Sequence, residues 1–297
     1  MENTPTLSII TVTWNSAEFI VDQITSVKKA CKNISYEYFI IDNASTDATV
    51  EIVEKNFSEI KLIKNSSNLG FAVANNLAAK QAQGKYFLFL NPDMRLEEGS
   101  LDTMVAWMSE HSDAGIAGCK LVSRENQLRS IHKPTKFPTL TSLTLTALKI
   151  AAFFPQVMNR YSYADKDLDQ DKEVDAVRGS FLLMRREIIE NLGFAFDPRY
   201  FIWFEDVDVC REAHQLGYKV MFTPIISCID YAGQSFKKQN ILKRQKQFFK
   251  SAIIYLKKWE PRYKSIILWV VQWFGIGVVW FYSKLERRVS IKDAIER

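Results

Sequence analysis

An α/β fold with a mostly parallel central sheet is predicted by three features of this 297-residue sequence. Leu7–Trp14 is a run of apolar and β-branched residues, the pattern of a strand that is buried on both faces. The similar runs Tyr36–Asp42 and Lys85–Leu90 alternate with segments of helical periodicity. Strands and helices that alternate at this spacing build a mostly parallel sheet with helices on both of its faces.

The other elements are predicted in chain order from the same patterns. Asn15 and Glu18 form a capping box at the start of the first helix. In the first half we predict helices over 15–31, 46–56, 71–83 and 96–111, and strands over 60–64 and 115–122. In the second half we predict helices over 139–154, 185–192 and 205–216, strands over 174–184, 219–223 and 226–229, a hairpin or loop over 123–137, a mobile loop over 161–173, and a helical tail from 238.

Composition excludes several classes of protein. Hydrophobic residues make up 47% and charged residues 25% of the chain, which is typical of a folded globular protein and not of a disordered one. The four cysteines and three histidines have no paired spacing, which argues against a disulfide framework, a zinc site and a Cys/His nucleophile. Met1–Thr6 lacks a basic and an apolar region, so we expect no signal peptide and a cytoplasmic protein.

Positive charge is concentrated near the C-terminus. Between Phe236 and Lys264 ten basic residues accompany a single acid, Glu260, so this stretch carries +9 while the whole chain carries +5. Such a run beside an apolar segment indicates either binding to an anionic membrane surface or a solvated helix face. Nucleic acid is disfavoured as a partner because the basic run contains no recognisable binding module.

An apolar segment, Ile266–Tyr282, follows the basic stretch. Its 17 residues would span about 25 Å as a helix, short of the ~30 Å hydrocarbon core of a bilayer. Trp269, Trp273 and Trp280 fall within about 40° of one another around that helix. We therefore predict a membrane-associating helix that lies in the headgroup region. The alternatives are packing on the rest of the chain or on a second copy in a homo-oligomer, and then a short spanning anchor.

Three polar clusters directly follow predicted strands: Trp14-Asn15, Asp42-Asn43 and Asn91-Pro92-Asp93. Ligands of such sheets bind beyond the carboxyl ends of the strands, so these clusters are candidates for one site. The carboxylate of Asp93 could hold a hard divalent cation or belong to an ordinary Pro-Asp turn. The motif from Asp42 to Ser45 could read the edge of a nucleotide base or form an Asx turn.

A fourth cluster, Glu205-Asp206-x-Asp208, opens a predicted helix after the aromatic run Tyr200–Phe204. Carboxylates held among aromatic side chains have raised pKa values, which suits one of them as a general base. The alternative is that these acids lie in the first turn because the helix dipole stabilises them there. The aromatic run either offers a flat face to a sugar ring or packs in the core.

Taken together, the motifs follow one another in a specific order along about Leu7 to Phe236. They are Thr13-Trp14-Asn15, Ile41-Asp42-Asn43-Ala44-Ser45-Thr46-Asp47, Asn68-Leu69-Gly70-Phe71 followed by Asn75, Leu90-Asn91-Pro92-Asp93, and Phe204-Glu205-Asp206-Val207-Asp208-Val209-Cys210 followed by Glu212. This order resembles glycosyltransferase family 2, and within it the rhamnosyltransferase-like members. The resemblance implies a GT-A fold over 1–236, with a nucleotide-sugar-binding half over about 1–122, an acceptor-binding half over 123–236, and a helical tail over 237–297.

The resemblance also implies roles for individual residues. Asp42 would read the N3–H of a pyrimidine, Asp206 would be the catalytic base, and Asp93 would be the last acid of the Asp-x-Asp metal motif. The remaining contacts to the donor would come from Thr13, Asn15, Asn43, Asn68, Gly70, Asn75 and the phosphate partner Arg178. The chain departs from the family at two positions: Asn91 replaces the first acid of the metal motif, and Asp230 stands where a histidine is frequent. A carboxylate at the second position would favour Mg²⁺ or Mn²⁺.

The activity implied by the resemblance is inverting glycosyl transfer from a nucleoside-diphosphate sugar. The favoured donor is dTDP-L-rhamnose, with UDP-GlcNAc and UDP-galactose left open. The acceptor would be a glycan or a polyprenyl-diphosphate-linked sugar, used in cell-surface polysaccharide synthesis by a protein that is peripherally associated with the inner face of the cell membrane. One alternative is a non-catalytic nucleotide-sugar-binding or scaffold subunit, against which Asp42, Asp93 and Asp206 argue. A nucleotidyltransferase is disfavoured because 11–16 contains neither a Gly-rich loop nor a basic residue.

Overall fold

The computed structural model describes residues 4–123, 125, 133–148, 150–161, 163, 168–231 and 241–295. These residues belong to two compact units, the first from Met1–Phe137 and Ser162–Lys237 and the second from Pro138–Tyr161 and Lys238–Arg297. Parts of the predicted loops over 123–137 and 161–173, the predicted tail start at 238 and the boundary between 236 and 237 lie outside the described residues. The division into a nucleotide-sugar-binding half, an acceptor-binding half and a tail stays a prediction.

The strands of the first unit form one nine-stranded sheet. They are β1 Leu7–Thr13, β2 Tyr36–Asp42, β3 Lys61–Lys64, β4 Tyr86–Leu90, β5 Met94–Leu96, β6 Ala114–Val122, β7 Lys172–Glu173, β8 Phe181–Arg185 and β9 Lys219–Asp230. Their order is β3-β2-β1-β4-β8-β6-β9-β5, and β7 pairs with β9 outside this path. All five residues of the central strand β4 are at most 2% exposed, as its unbroken apolar sequence predicts.

The helices complete both units. They are α1 Ile20–Ala30, α2 Thr49–Asn56, α3 Phe71–Ala79, α4 Ser100–Glu110, α5 Leu140–Ala147, α6 Pro155–Tyr161, α7 Arg186–Leu192, α8 Glu205–Gln215, α9 Ile241–Trp259 and α10 Arg262–Ile295. A short 3-10 helix, Ala151–Phe153, lies between α5 and α6. Helices α5, α6, α9 and α10 belong to the second unit, and the others belong to the first.

The sheet is mixed, with a parallel and an antiparallel part. Strand β1 runs parallel to β2 and β4, and β2 runs parallel to β3, as the crossover helices between these strands require. Strand β8 is antiparallel to β4 and β6, and β5 and β7 are antiparallel to β9. The alternation of strands and helices indicates direction only for strands joined by a crossover, and β8 enters the sheet from far along the chain. The predicted α/β fold with a central sheet flanked by helices is confirmed, but the sheet is mixed and not mostly parallel as predicted, with as many antiparallel as parallel pairings among the described strands.

The capping box predicted at Asn15 is wrong. Helix α1 begins at Ile20 after Phe19, and no side chain caps it. The backbone of Asn15 instead has a φ of 53°, in the left-handed region. The Oδ1 atom of Asn15 accepts a hydrogen bond of 2.7 Å from the backbone N–H of Thr46. The side chain of Asn15, which the local pattern predicted to cap α1, therefore makes a tertiary contact with the loop after β2.

Three other predicted boundaries differ from the observed ones, because the strands concerned pair with residues far along the chain. Residues 94–96 form β5, which pairs with the end of β9, so α4 starts later than predicted. The predicted strand over 174–184 begins only at Phe181, and before it Ala176 makes a single bridge to Thr135. The two strands predicted near Pro224 form one strand, with a register shift opposite Cys119 and Lys120. Local sequence does not encode these partners.

The second unit packs α5 closely against α9 and α10. Helix α5 begins with a capping box between Thr139 and Ser142. The Nε2 atom of Gln245 in α9 donates a hydrogen bond of 2.8 Å to the carbonyl oxygen of Ala147. A Cβ atom on Gly275 of α10 would lie 2.7 Å from the same carbonyl oxygen. The glycine thus permits a close approach. In the described ranges, each helix lacks the length or the apolar character that a membrane span requires.

Candidate active site

The strand ends that contain predicted site residues lie at one edge of the sheet in the first unit. Thr13 at the end of β1 lies opposite Asp42 at the end of β2. Leu90 at the end of β4 lies opposite Phe181 at the start of β8, because these strands are antiparallel. Strand β9 runs parallel to β6, so its last residue, Asp230, lies at the same edge. The edge therefore combines segments that are more than 200 residues apart in sequence.

The carboxylate of Asp42 is buried and held in one orientation. Its Oδ1 atom accepts a hydrogen bond of 3.1 Å from Thr13 Oγ1 and another from Ser45 Oγ. Its Oδ2 atom accepts the backbone N–H of Ser45 at 2.8 Å. The side chain therefore bonds to the backbone three residues on, one residue further than in the Asx turn considered from the sequence. A carboxylate has about four acceptor positions, so these three bonds leave room for a ligand donor as well.

Asn15 fastens the loop after β1 to the loop after β2. Its backbone N–H donates a hydrogen bond of 2.8 Å to Ser45 Oγ, and its side chain accepts from Thr46. Ala44 in the second loop has a φ of 61°, so both loops contain a non-glycine residue in the left-handed region. Such residues cost conformational energy and persist where surrounding contacts hold them. Asn15 thus shapes the edge beside Asp42.

The segment that leads into α3 is shaped by asparagine side chains. Asn43 donates from Nδ2 to the carbonyl oxygen of Gly70 at 3.1 Å and accepts from Asn65 at 2.9 Å. The Oδ1 atom of Asn68 accepts the backbone N–H of Gly70 at 2.9 Å. The side chains of Asn43 and Asn68 are thus engaged in positioning the turn at Gly70.

Gly70 occupies a position that excludes any other residue. Its φ is 84°, and a Cβ atom would lie 2.5 Å from the carbonyl oxygen of Phe201. The next residue, Phe71, donates its backbone N–H to that same oxygen at 2.7 Å. The start of α3 is therefore in direct contact with the aromatic run that precedes α8.

Asn75 lies in α3 and is 1% exposed. Its Nδ2 atom donates to the carbonyl oxygen of Phe71 at 2.9 Å. Its Oδ1 atom is buried without a hydrogen-bond partner in the described part of the chain. A buried amide oxygen without a partner is costly, so this atom is available to a hydrogen-bond donor of a bound molecule.

The neighbouring residue, Asn76, was missed by the sequence analysis. Its Nδ2 atom donates to the carbonyl oxygen of Phe196 at 2.6 Å. Its Oδ1 atom accepts the backbone N–H groups of Ala195 and Phe196 at 2.9 and 3.0 Å. One side chain thus holds the segment before the aromatic run. The signal in the sequence is a pair of asparagines, Asn75 and Asn76, in an otherwise apolar, alanine-rich helix.

Asp206 lies in the first turn of α8, with its carboxylate against the segment before β8. The Oδ2 atom accepts the backbone N–H of Gly179 at 3.0 Å, and Oδ1 accepts that of Val207 at 2.9 Å. The half-buried Arg178 precedes this glycine and donates from Nε to the carbonyl oxygen of Lys133 at 2.9 Å. Asp206 is therefore oriented by two backbone donors at the same edge as Asp42.

The aromatic run before α8 is partly buried, with Tyr200 and Phe204 in the core. Tyr200 is fully buried and donates its hydroxyl to Asp208 Oδ1 at 3.1 Å, which accounts for the third acid of the cluster. Trp203 and Phe204 have φ values of 66° and 71°, an unusual conformation for bulky residues. Phe201 is 36% exposed and so remains available to a sugar face.

Glu205 has a buried carboxyl group with a raised pKa. It is 6% exposed, and its Oε2 atom has no hydrogen-bond partner among the described residues. Burial, and then the charge of Asp206, raise the pKa of Glu205 to about 8. The raised proton affinity predicted for this acidic cluster is therefore found at Glu205, which is more deeply buried than Asp206.

Asp93 and Asp230 are brought together by the pairing of β5 with β9. Met94 lies directly opposite Asp230, and the backbone N–H of Tyr231 donates to the carbonyl oxygen of Asp93 at 3.1 Å. The two aspartates are therefore one residue apart across the ladder. Arg95 helps to fix this corner, since its guanidinium donates to the carbonyl oxygens of Met94 and Phe19 at 2.8 and 2.9 Å. Arg95 was not among the residues predicted from the sequence.

The donor atoms at this corner suit a hard divalent cation. Within the described ranges, no group of three or more histidine, cysteine, aspartate or glutamate side chains could hold a metal ion. Mg²⁺ is commonly bound by one or two carboxylates together with water and substrate phosphates. The residues present therefore fit a cation that is shared with a phosphate-bearing ligand, and do not fit a metal cage built from protein alone.

Comparison with known protein families identifies the chain. The model of the family described as "Glycosyl transferase family 2" matches residues 8–193, which is more than half of the 297 residues. The chain belongs to glycosyl transferase family 2. This glycosyltransferase contains Asp42 and Asp93 inside the matched region, whereas Asp206 and Asp230 follow it.

Two curated relatives of the glycosyltransferase transfer rhamnose according to their names. One is the N-acetylglucosaminyl-diphospho-decaprenol L-rhamnosyltransferase of Mycobacterium tuberculosis, which is 23% identical over 244 residues that cover 78% of each chain. The other is the rhamnosyltransferase WbbL of Escherichia coli, which is 24% identical over 220 residues that cover 69% of this chain and 78% of WbbL. The predicted resemblance to rhamnosyltransferase-like members of the family is confirmed.

Solved structures with the same fold contain nucleotide sugars. The mannosyltransferase PcManGT of Pyrobaculum calidifontis, in complex with GDP-Man and Mn²⁺, covers 99% of this chain and 81% of its own, with a TM-score of 0.58 and 15% identity. TarS of S. aureus, in complex with UDP-GlcNAc, covers 89% of this chain and 70% of its own, with a TM-score of 0.54 and 17% identity. At this identity the likeness establishes the GT-A fold alone.

Glu205→Gln should remove a pH dependence of stability. In the folded glycosyltransferase the carboxyl stays protonated to about pH 8, whereas its ordinary pKa is 4.5. Folding therefore takes up a proton within this window. The contribution of the protonated carboxyl is complete below pH 4.5 and declines as the pH rises, by at most about 1.4 kcal/mol per pH unit. Glutamine mimics the protonated form without this decline.

Urea unfolding of both proteins at pH 5 and pH 8 measures the effect of Glu205→Gln. We expect the free energy of unfolding of the variant, minus that of the native protein, to be larger at pH 8 than at pH 5. The same difference at both pH values would contradict a protonated Glu205 in the folded state.

Proposed function

We propose that this glycosyltransferase transfers L-rhamnose from dTDP-L-rhamnose, with inversion, to a hydroxyl of a glycan or polyprenyl-diphosphate-linked acceptor. The product would be part of a cell-surface polysaccharide. The observation that carries the proposal is the carboxylate of Asp206, oriented by two backbone N–H groups at the sheet edge that also holds Asp42. The names of the relatives from M. tuberculosis and E. coli support the sugar, and the decaprenol-linked substrate in the first name supports the acceptor class.

The nucleotide base would be recognised by Asp42. Its carboxylate is already fixed by Thr13 and Ser45, so binding would cost little side-chain freedom. A carboxylate only accepts hydrogen bonds, and the N3–H of thymine or uracil is a matching donor. Asn15 would border the base and ribose through the loop that it holds in place.

The sugar and diphosphate would be held by groups on both sides of the edge. The Oδ1 atom of Asn75 would accept a hydrogen bond from the donor. Arg178 uses its Nε atom for Lys133, which leaves its terminal nitrogens for a phosphate oxygen. Asp93, supported by Asp230, would hold Mg²⁺ or Mn²⁺ together with the diphosphate. When bound, such a cation neutralises charge on the leaving diphosphate.

The reaction would depend on Asp206 as a general base. Its carboxylate would take the proton of the acceptor hydroxyl while that oxygen attacks the anomeric carbon from the face opposite the diphosphate. The new C–O bond forms as the bond to the diphosphate breaks, and the diphosphate leaves with the electron pair. Inversion follows from a single displacement, so no covalent enzyme intermediate is needed. General-base catalysis typically contributes about 10²- to 10⁴-fold, and positioning of the reactants adds to this.

A panel of donors tests this assignment. We expect dTDP-L-rhamnose, with Mg²⁺ or Mn²⁺ present, to raise the melting temperature of the full chain most and to be slowly hydrolysed. The matched comparisons are UDP-GlcNAc, UDP-galactose and GDP-mannose, with dTDP alone as the control for base recognition. Preference for another of these donors would overturn the rhamnose assignment. Failure of every nucleotide sugar to bind would overturn the catalytic proposal itself.

A further inference from the structure

Helix α10 of the second unit has a packed face and an exposed face. Ser265 and Leu268 are at most 4% exposed, and Gly275 contacts the end of α5. On the opposite side, Trp273 and Trp280 are 60% and 48% exposed. The helix is thus anchored to its unit along one side only, and its other side is open to the surroundings.

The exposed face is apolar between Ile266 and Trp280. No residue from 265 to 280 carries a charge. At 100° per residue the exposed apolar side chains between 265 and 280 cover an arc of about 160°. They are Ile266, Ile267, Trp269, Val270, Trp273, Phe274 and Trp280, each between 43% and 68% exposed. The rings of Trp269 and Trp273 meet edge to face at 6.3 Å. A continuous apolar face of this kind marks an interaction surface.

Helix α9, which packs beside α10, presents a row of positive charge. Lys243, Lys246, Lys250 and Lys257 are exposed and fall within an arc of about 60°. The opposite side of α9 is buried in the unit through residues such as Phe249. The lysine row is part of the stretch over 236–264 that carries +9. The apolar face of α10 and the lysine row of α9 therefore belong to the same two-helix element.

This combination of charge and apolar side chains selects one kind of occupant. Two copies of the chain that met through α10 would bring two stretches of +9 close together, and like charges in proximity oppose association. Anionic lipid headgroups instead complement the lysines, and tryptophan is enriched where headgroups meet acyl chains.

We propose that α9 and α10 form a docking surface for an anionic lipid membrane. The apolar face of α10 enters the headgroup layer, and the lysine row of α9 binds acidic headgroups. Docking keeps the glycosyltransferase at the surface where a polyprenyl-linked acceptor would reside. The docking surface itself does not depend on which nucleotide sugar the enzyme uses.

Flotation of the full chain with vesicles tests the docking surface. We expect binding to vesicles of phosphatidylcholine and phosphatidylglycerol in a 7:3 ratio. Binding should weaken by on the order of ten-fold with phosphatidylcholine alone or at high salt, because both changes remove attraction to the lysines. Brominated acyl chains should quench tryptophan fluorescence of the bound protein, since the α10 tryptophans enter the headgroup layer.

Variants separate the apolar and electrostatic contributions. Trp273→Glu combined with Phe274→Glu should abolish flotation and quenching, and Lys246→Glu combined with Lys250→Glu should abolish the preference for phosphatidylglycerol. The matched control is Ile225→Glu, which replaces a side chain that is 48% exposed on β9 of the first unit and should leave binding unchanged. Slow donor hydrolysis should be the same in all of them, so a failure of docking is distinguishable from a failure of the proposed activity.

Three results would overturn the proposal. The first is absence of vesicle binding by the native chain together with a dimer, seen in sedimentation, that Trp273→Glu converts to a monomer. That result would make the face an interface between copies. The second is that the variant with Trp273→Glu and Phe274→Glu still binds, and binds equally to vesicles of phosphatidylcholine alone and to vesicles that contain phosphatidylglycerol. The third is protein in native membranes that resists salt and alkaline carbonate and is released only by detergent, which would indicate a spanning helix.

Discussion

Replacing Asp206 with asparagine should lower kcat by about 10²-fold or more and leave the Kd of the donor nearly unchanged. Asparagine keeps the size of the side chain, and its amide oxygen still accepts one of the N–H groups of Gly179 and Val207. It does not accept a proton from the acceptor hydroxyl. Initial rates with saturating donor measure the loss, and donor titration by calorimetry measures the affinity.

The neighbouring Glu205 provides a matched control for this experiment. Glu205→Gln changes an adjacent carboxyl in the same helical turn, and that carboxyl is buried with a raised pKa. We expect the variant to retain most of the native turnover. An active Asp206→Asn beside an inactive Glu205→Gln would show that the base has been assigned to the wrong residue.

Replacing Asp93 with alanine should abolish transfer and remove the metal dependence of nucleotide binding. Asp93 lies at the corner where β5 begins, and its backbone carbonyl oxygen accepts the N–H of Tyr231, a contact that does not depend on the side chain. Binding of a nucleoside diphosphate, measured with and without Mn²⁺, tests the prediction. The native protein should bind more tightly with the metal, and the variant should show no difference.

Asp113→Ala is the control for a general effect of removing a carboxylate. Asp113 precedes β6 at the opposite edge of the sheet and pairs with Lys219 on the surface. This variant should keep both transfer and metal-dependent binding. Full transfer by the native enzyme in excess EDTA would contradict a metal role for Asp93, as would unchanged activity of Asp93→Ala.

The parts of the fold that follow from local sequence were predictable. Strand β2 has its predicted bounds, and β1 and β4 lie within one residue of theirs, because each is a compact apolar run. Strand β5 was not predictable, since residues 94–96 become a strand only by pairing with the end of β9. The direction of β8 depends likewise on β4, about 90 residues earlier in the chain. Single-sequence patterns carry no information on such distant partners.

The candidate site was likewise predictable only where local sequence determines it. The ends of β1 and β2 identified Asp42 and Asn15 as neighbours, because parallel strands finish at one edge. The support that Asn76 gives to Phe196 joins residues 120 apart, and no local pattern indicates it. The contrast between Glu205 and Asp206 also required the structure, since adjacent acids in sequence reveal nothing about which one is buried.

The contact between Gly70 and Phe201 limits how this enzyme could be recombined with its relatives. A chimera that joins the first 122 residues to the second half of another family member would separate Gly70 and Asn76 from the backbone of residues 195–201. In residues 195–201 these contacts use backbone carbonyl and amide groups, so a segment that replaces them must match in backbone shape but is freer in sequence. In the first 122 residues the same contacts require a glycine and an asparagine. Exchange of whole second halves should therefore succeed only between parents whose backbones agree over this stretch.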